Sequence, residues 1–168
     1  MRCADGAACG CRSRPPPSSS GLSWSSLDSI AATVRRTCPE TAGTAPPAPS
    51  QPWLTSWYNG GAAPGERGPA AFYGHVDTRA SGPAVFYDLG RLKPGAQVRV
   101  LRQDGRTAIF QITSIEQVPK SRFPTERVYG RTNAPTIRVM TCGGEFDPVK
   151  RSYKDNVIAY GVLTDSTD

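Results

Sequence analysis

From Pro52 onward, glycine and proline cut the chain at short intervals, and aromatic and β-branched residues fill the pieces between the cuts. Both residues break helices and mark turns, so this half excludes a helical bundle and asks for successive short strands. The clearest unit is Gln97-Val-Arg-Val-Leu-Arg102, then Gln103-Asp104-Gly105, then residues 107–115. Asp-Gly supplies the positive φ angles that a tight turn needs, which makes the segment a β-hairpin. Residues 69–76 read as a strand ending at a loop, 136–141 as a strand delivering Cys142 at its end, and 156–163 as a closing strand. Phe86, Leu89 and Leu92 have near-helical spacing for one short turn, and residues 122–132, interrupted by Pro124 and Gly130, read as loop. No internal repeat is visible.

The first 51 residues differ. They are rich in Ser, Pro, Ala and Arg, follow neither a strand nor a helix period, and offer one helix-like stretch at 27–36. They are read as a disordered or out-of-frame-like segment ahead of one folded domain at 52–168. A chain of 168 residues has room for one ordinary domain with a core. Four of the five cysteines, Cys3, Cys9, Cys11 and Cys38, lie in this segment. Cys9-Gly-Cys11 has the wrong spacing for a zinc or redox pair and no histidine nearby, so neither metal nor cofactor is expected. No apolar run of about 18 residues exists, and the start lacks the apolar stretch of an export signal. The net charge of +6 suits an anionic surface such as a cell wall without requiring one. With no basic-aromatic stripe, nucleic acid is not expected as a partner.

Two residues stand out as carriers of chemistry. His75 is the single histidine, so any imidazole acid or base must be this residue. It stands in Gly74-His75-Val76-Asp77 at a strand-to-loop edge, where the glycine is read as leaving room for a substrate backbone. Cys142 follows the apolar run 136–141 and precedes Gly143-Gly144, which suits an accessible thiol. Taken singly, each has a plain structural alternative: a polar histidine with no chemistry, and a small buried thiol.

Together they belong to a longer ordered pattern. Gly65-Glu-Arg-Gly68 leads into Ala71-Phe72-Tyr73-Gly74-His75. Gly82-Pro-Ala-Val-Phe86, Leu92-Lys-Pro-Gly95, Phe123-Pro-Thr125 and Val128-Tyr-Gly130 follow, then Thr141-Cys-Gly-Gly144, Phe146-Asp147 and Tyr153-Lys-Asp-Asn156. Over residues 52–163 this resembles the class F sortases of actinobacteria. The resemblance implies an all-β fold, a sortase-like closed β-barrel of about eight strands with short helical turns. It also implies a cysteine transpeptidase, hydrolase by class, that cleaves an LPXTG-like sorting signal between Thr and Gly. The Cys142 thiolate would form a thioacyl-enzyme, His75 would move the proton, and a peptidoglycan precursor amine would accept the acyl group. Thr141 and Gly143 would contact the substrate, and the enzyme would work as a monomer on the extracytoplasmic face of the membrane.

The family's third catalytic residue is an arginine on or just before the strand after the cysteine. Here Lys154 stands about there, and Arg151 is the nearest guanidinium. Arg151 is favoured, because a guanidinium grips an oxygen with a planar fork and lysine does not. Arg138 shares the face of Cys142 but lies about 13 Å back along an extended strand, so it is read as positioning the strand or substrate. Asp77 is kept as a loop-stabilising residue, since neighbouring side chains in a strand point to opposite faces. Such sortases open with further strands that nothing before Pro52 matches. One permissible codon choice for residues 27–34, read two nucleotides later, gives Gly-Leu-Asp-Arg-Gly-Asp-Gly-Thr, like the missing part. On that reading the barrel lacks its first strands. Two competing functions follow: a non-catalytic or poorly active binding module on the same scaffold, and an L,D-transpeptidase. The latter places its histidine and cysteine close in sequence, and here they are far apart.

Overall fold

The computed structural model describes residues 51–167 and the backbone of one earlier strand, 29–33. In chain order the strands are β1 (Ser29–Thr33), β2 (Ser56–Trp57), β3 (Gly68–Tyr73), β4 (Asp77–Thr78), β5 (Gly82–Pro83), β6 (Gln97–Leu101), β7 (Thr107–Pro119), β8 (Pro135–Asp147) and β9 (Ser152–Thr167). One helix, α1 (Thr125–Tyr129), and two 3-10 turns, Leu89–Arg91 and Lys120–Arg122, complete the elements. Seven strands form one sheet in the order β1-β6-β7-β9-β8-β3-β2, and β4 pairs with β5 apart from it. The expected all-β fold is therefore present. Among the described residues the sheet curls as half a barrel, with β1 and β2 at its two edges.

The expected hairpin is β6–β7. Val98 and Val100 point inward while Gln97, Arg99 and Leu101 face out, the alternation that fixes register. Gly105 takes a φ of 85°, and the Arg106 amide donates to the Asp104 carboxylate at 3.1 Å, closing the turn. In β7 the ladder to β9 slips between Ile109 and Phe110 and again between Ile112 and Ser114. Such bulges bend a long strand and increase its twist, which lets the sheet wrap. On the inner face Phe72, Val98, Val100, Phe110, Ile112, Ile137, Val139 and Ala159 meet Phe86, Leu89 and Leu92 from the connection before β6. The predicted turn around Leu89 is thus a lid on the core. On the outer face Ala71, Met140, Ile158 and Tyr160 pack with Val128 of α1.

Four local expectations need correction. The helix-like stretch 27–36 contains β1, which runs parallel to β6 with Ile30 opposite Val98. The outer edge of β6 offers backbone donors and acceptors that override a weak helix preference. The rest of the first 50 residues lies outside the described residues. Residues 122–132 hold α1 rather than only loop, because Val128 finds a fully buried seat on the outer face. The strand carrying Cys142 does not stop there. It continues to Asp147, because the ladder with β9 is broken by a bulge between Gly143 and Phe146 and then resumes. The fourth correction concerns Gly74. A Cβ there would lie 2.6 Å from the side chains of both Val85 and Phe86, so its missing side chain makes room for the core lid, not for a substrate.

Candidate active site

The parallel pairing of β3 with β8 decides what meets at one end of the sheet. Tyr73, the last residue of β3, sits beside Met140, so the next residues of both strands emerge side by side. The Gly74 amide donates to the Met140 carbonyl at 3.2 Å, and the buried Thr141 hydroxyl donates to the Gly74 carbonyl at 2.9 Å. His75 then turns away, its carbonyl accepting from the Phe86 amide at 3.0 Å. The histidine is pinned by its backbone on one side to the cysteine strand and on the other to the core lid.

His75 and Cys142 line a single open cleft of about 590 Å³, within the usual size of a ligand site. One wall is His75 through Arg79. The other is Cys142, Phe146, the turn between β8 and β9 with Arg151, and Tyr153 at the start of β9. Cys142 is a partly exposed free thiol inside its strand, opposite Asn156. After the bulge that follows it, with Gly144 at a φ of 75°, the end of the hairpin contributes Phe146, Pro148 and Arg151 to the cleft lining. There the Asp147 carboxylate accepts from the amides of Val149 (2.9 Å) and Lys150 (3.0 Å), which holds its pKa below the usual carboxylate range. Arg151 ends the turn with a φ of 50°, a left-handed backbone uncommon for a side-chain-bearing residue, and lines the cleft.

The other expected residues fall elsewhere. Lys154 points away to a 2.7 Å ion pair with Glu145, and this pairing raises its pKa. Arg138 is buried outside the site: its guanidinium lies 4.9 Å from the centre of the Tyr160 ring and donates to the carbonyls of Arg127 and Ile137. Burial lowers its pKa, and it ties α1 to the outer face. Thr141 spends its hydroxyl on Gly74, while Gly143 sits against Val157, within 2.6 Å of where a Cβ would reach. Asp77 accepts a hydrogen bond from the Tyr153 hydroxyl across the cleft, a bond that raises the tyrosine to about 12. Sequence reasoning gave no role to Tyr153, nor to Arg79, a second guanidinium of the cleft wall. Neither carries a sequence signal of its own, because the left-handed Arg151 breaks the alternation that would relate the turn to Tyr153.

With the geometry in place, comparison with known proteins gives its lineage. The model of the sortase domain matches residues 27–164. The chain belongs to the sortase family. Sortases are cysteine transpeptidases, and the match takes in β1 as well as the domain from Pro52. Among solved structures, sortase A from Corynebacterium diphtheriae is 20% identical with a TM-score of 0.55, over 68% of this chain and 49% of that one. Sortase C of Streptococcus pneumoniae is 16% identical at 0.54, over 66% of this chain and 52% of the other. The SrtA sortase of Actinomyces oris is 21% identical at 0.54, over 68% and 64%. At such identities the likeness is one of fold. The chain spans about half to two thirds of the length of these sortases. No curated protein sequence matches.

Proposed function

We propose that this sortase domain is a class F-type cysteine transpeptidase in which Cys142 is the nucleophile, His75 the acid and base, and Arg151 the cation. The observation that carries the reading is that these three residues line one cleft while Lys154 is engaged with Glu145 outside it. In the proposed reaction the Cys142 thiolate attacks the Thr carbonyl of an LPXTG-like sorting signal. A C–S bond forms, the Thr–Gly C–N bond breaks, and the imidazolium of His75 gives its proton to the departing amine. A peptidoglycan precursor amine then attacks the thioester, loses its proton to His75 and releases the thiolate. The Arg151 fork donates to the carbonyl oxygen as negative charge develops on it. The domain works as a monomer at the extracytoplasmic membrane face. Among the described residues no helix is long and apolar enough to cross a membrane.

A peptide carrying an LPXTG-like signal and a fluorogenic leaving group tests the reading. The chain is expected to release the fluorophore, and Cys142→Ala to abolish release. No turnover by the unaltered chain, with Cys142→Ala indistinguishable from it, favours the non-catalytic binding module.

A further inference from the structure

Two ties cross between the wall that carries His75 and the hairpin that carries Cys142. The first, at the base, is the pair of bonds from Gly74 to Met140 and Thr141. The second lies at the mouth. Asp77 opens the short strand β4, two residues beyond His75, and Tyr153 stands on β9 directly opposite Phe146. The Tyr153 hydroxyl donates to Asp77 Oδ2 at 2.5 Å. The Phe146 ring meets the Tyr153 ring edge to face at 5.2 Å, so the phenol is braced from behind by the strand that bears Cys142.

We propose that Tyr153 and Asp77 form a positioning clamp across the mouth of the cleft, which sets His75 against Cys142 and keeps the Asp77 carboxylate off the guanidinium groups beside it. The inference rests on the catalytic reading above. Its physical content is twofold. A proton-transfer pair works only when its partners are held in register, and misplacement by about 1 Å can cost about 10²-fold in rate. A carboxylate released from Tyr153 would stand in the same cleft as Arg79 and Arg151 and would pair with either, taking up the fork meant for the substrate carbonyl. The tyrosine suits the task because its proton is held up to a pH of about 12, so the hydroxyl stays a donor through any working range. Neither residue touches the reacting atoms in this scheme. Both act through His75, Cys142 and Arg151.

The test uses Tyr153→Phe, which keeps the ring and removes the donor, with Asp77→Ala, Asp77→Asn and the Tyr153→Phe/Asp77→Ala pair. Tyr153→Phe is expected to lower kcat about 10- to 100-fold with KM little changed. The double variant should be no worse than the poorer single one, because the two act as one unit. Asp77→Asn, which keeps an acceptor oxygen, should recover part of the loss of Asp77→Ala. A second readout needs no turnover: iodoacetamide labelling of Cys142 against pH, followed on the Cys142 peptide by mass spectrometry. Tyr153→Phe is expected to displace that profile. Wild-type kcat in Tyr153→Phe, multiplicative losses in the double variant, or a lower melting temperature with unchanged kinetics overturns the clamp. If the unaltered chain cleaves no peptide, the catalytic reading fails on that result, and an unmoved labelling profile then overturns the clamp separately.

Discussion

Arg151 is held in a backbone conformation that a non-glycine residue adopts only at a cost, with a φ of 50°, and it lines the thiol's cleft. Strain of this kind, about 1–2 kcal/mol, persists where the surroundings demand it. Arg151→Gly should therefore separate stability from activity. The cleavage rate is expected to fall about 10²- to 10³-fold, as for other lost oxyanion donors, while the urea midpoint stays level or rises. Arg151→Lys should recover only part of the rate, because charge returns without the fork. Lys154→Ala removes an exposed ion pair that solvent screens, so activity and midpoint should both hold. A large loss in Lys154→Ala with a normal Arg151→Gly reverses the assignment. Sequence spacing left these two cations open because the difference between them is made by a turn. The Asp147 bonds and the left-handed Arg151 shape that turn, and neither has a spacing signature. His75 and Cys142 were read as a pair only through the ordered run of motifs around them, and the parallel β3–β8 pairing that brings the two segments to one end of the sheet has no spacing signal.

The β8–β9 hairpin is the element on which the site depends. Its bulge sets Gly144 and Glu145 against Lys154, and Gly144 has a φ of 75° with a would-be Cβ only 2.3 Å from Asp155 Oδ2. The Asp155 carboxylate has little freedom to move aside, since it accepts from Gln117 Nε2 at 2.7 Å. Gly144→Ala is expected to cost about 1–2 kcal/mol in denaturant unfolding, and to slow cleavage by moving the hairpin tip relative to Cys142. An unchanged midpoint and rate would mean that the bulge tolerates a side chain and does not set the cleft. Alternation alone could not reveal this bulge: 136–141 reads as a strand and two glycines read as its end, whereas β9 supplies partners on both sides of the interruption. α1 escaped notice for a similar reason. Five residues give no period to detect, and what makes them helical is the seat that the outer face offers Val128.

At the scale of the molecule the sheet has two unlike faces, and the difference has a pH consequence. The inner face is aliphatic and aromatic, and its alternation was readable along β6 and β7. The outer face is tied by phenols. The Tyr73 and Tyr129 hydroxyls bond each other, and the Tyr160 hydroxyl donates to Glu116 beneath the Arg127 and Arg138 guanidinium groups. Burial, first of all, raises the pKa of Tyr73 and Tyr129 and pushes Tyr160 up to about 12, and the Asp77 bond does the same for Tyr153. An unfolded tyrosine ionises near pH 10, so above that the unfolded chain has shed protons that the folded one keeps. Stability contributed by these groups is thus fully present below about pH 10 and is lost as pH rises toward about 12. Alkaline titration followed by tyrosinate absorbance and circular dichroism should show part of the phenol signal appearing together with loss of β structure, in one cooperative step. Phenols that ionise smoothly around pH 10 while the sheet signal stays flat would show that the outer face does not hold the fold. The cooperative outcome would instead assign the tyrosine hydroxyls a share in fixing β3, β8 and β9, the strands whose ends place His75 and Cys142 together.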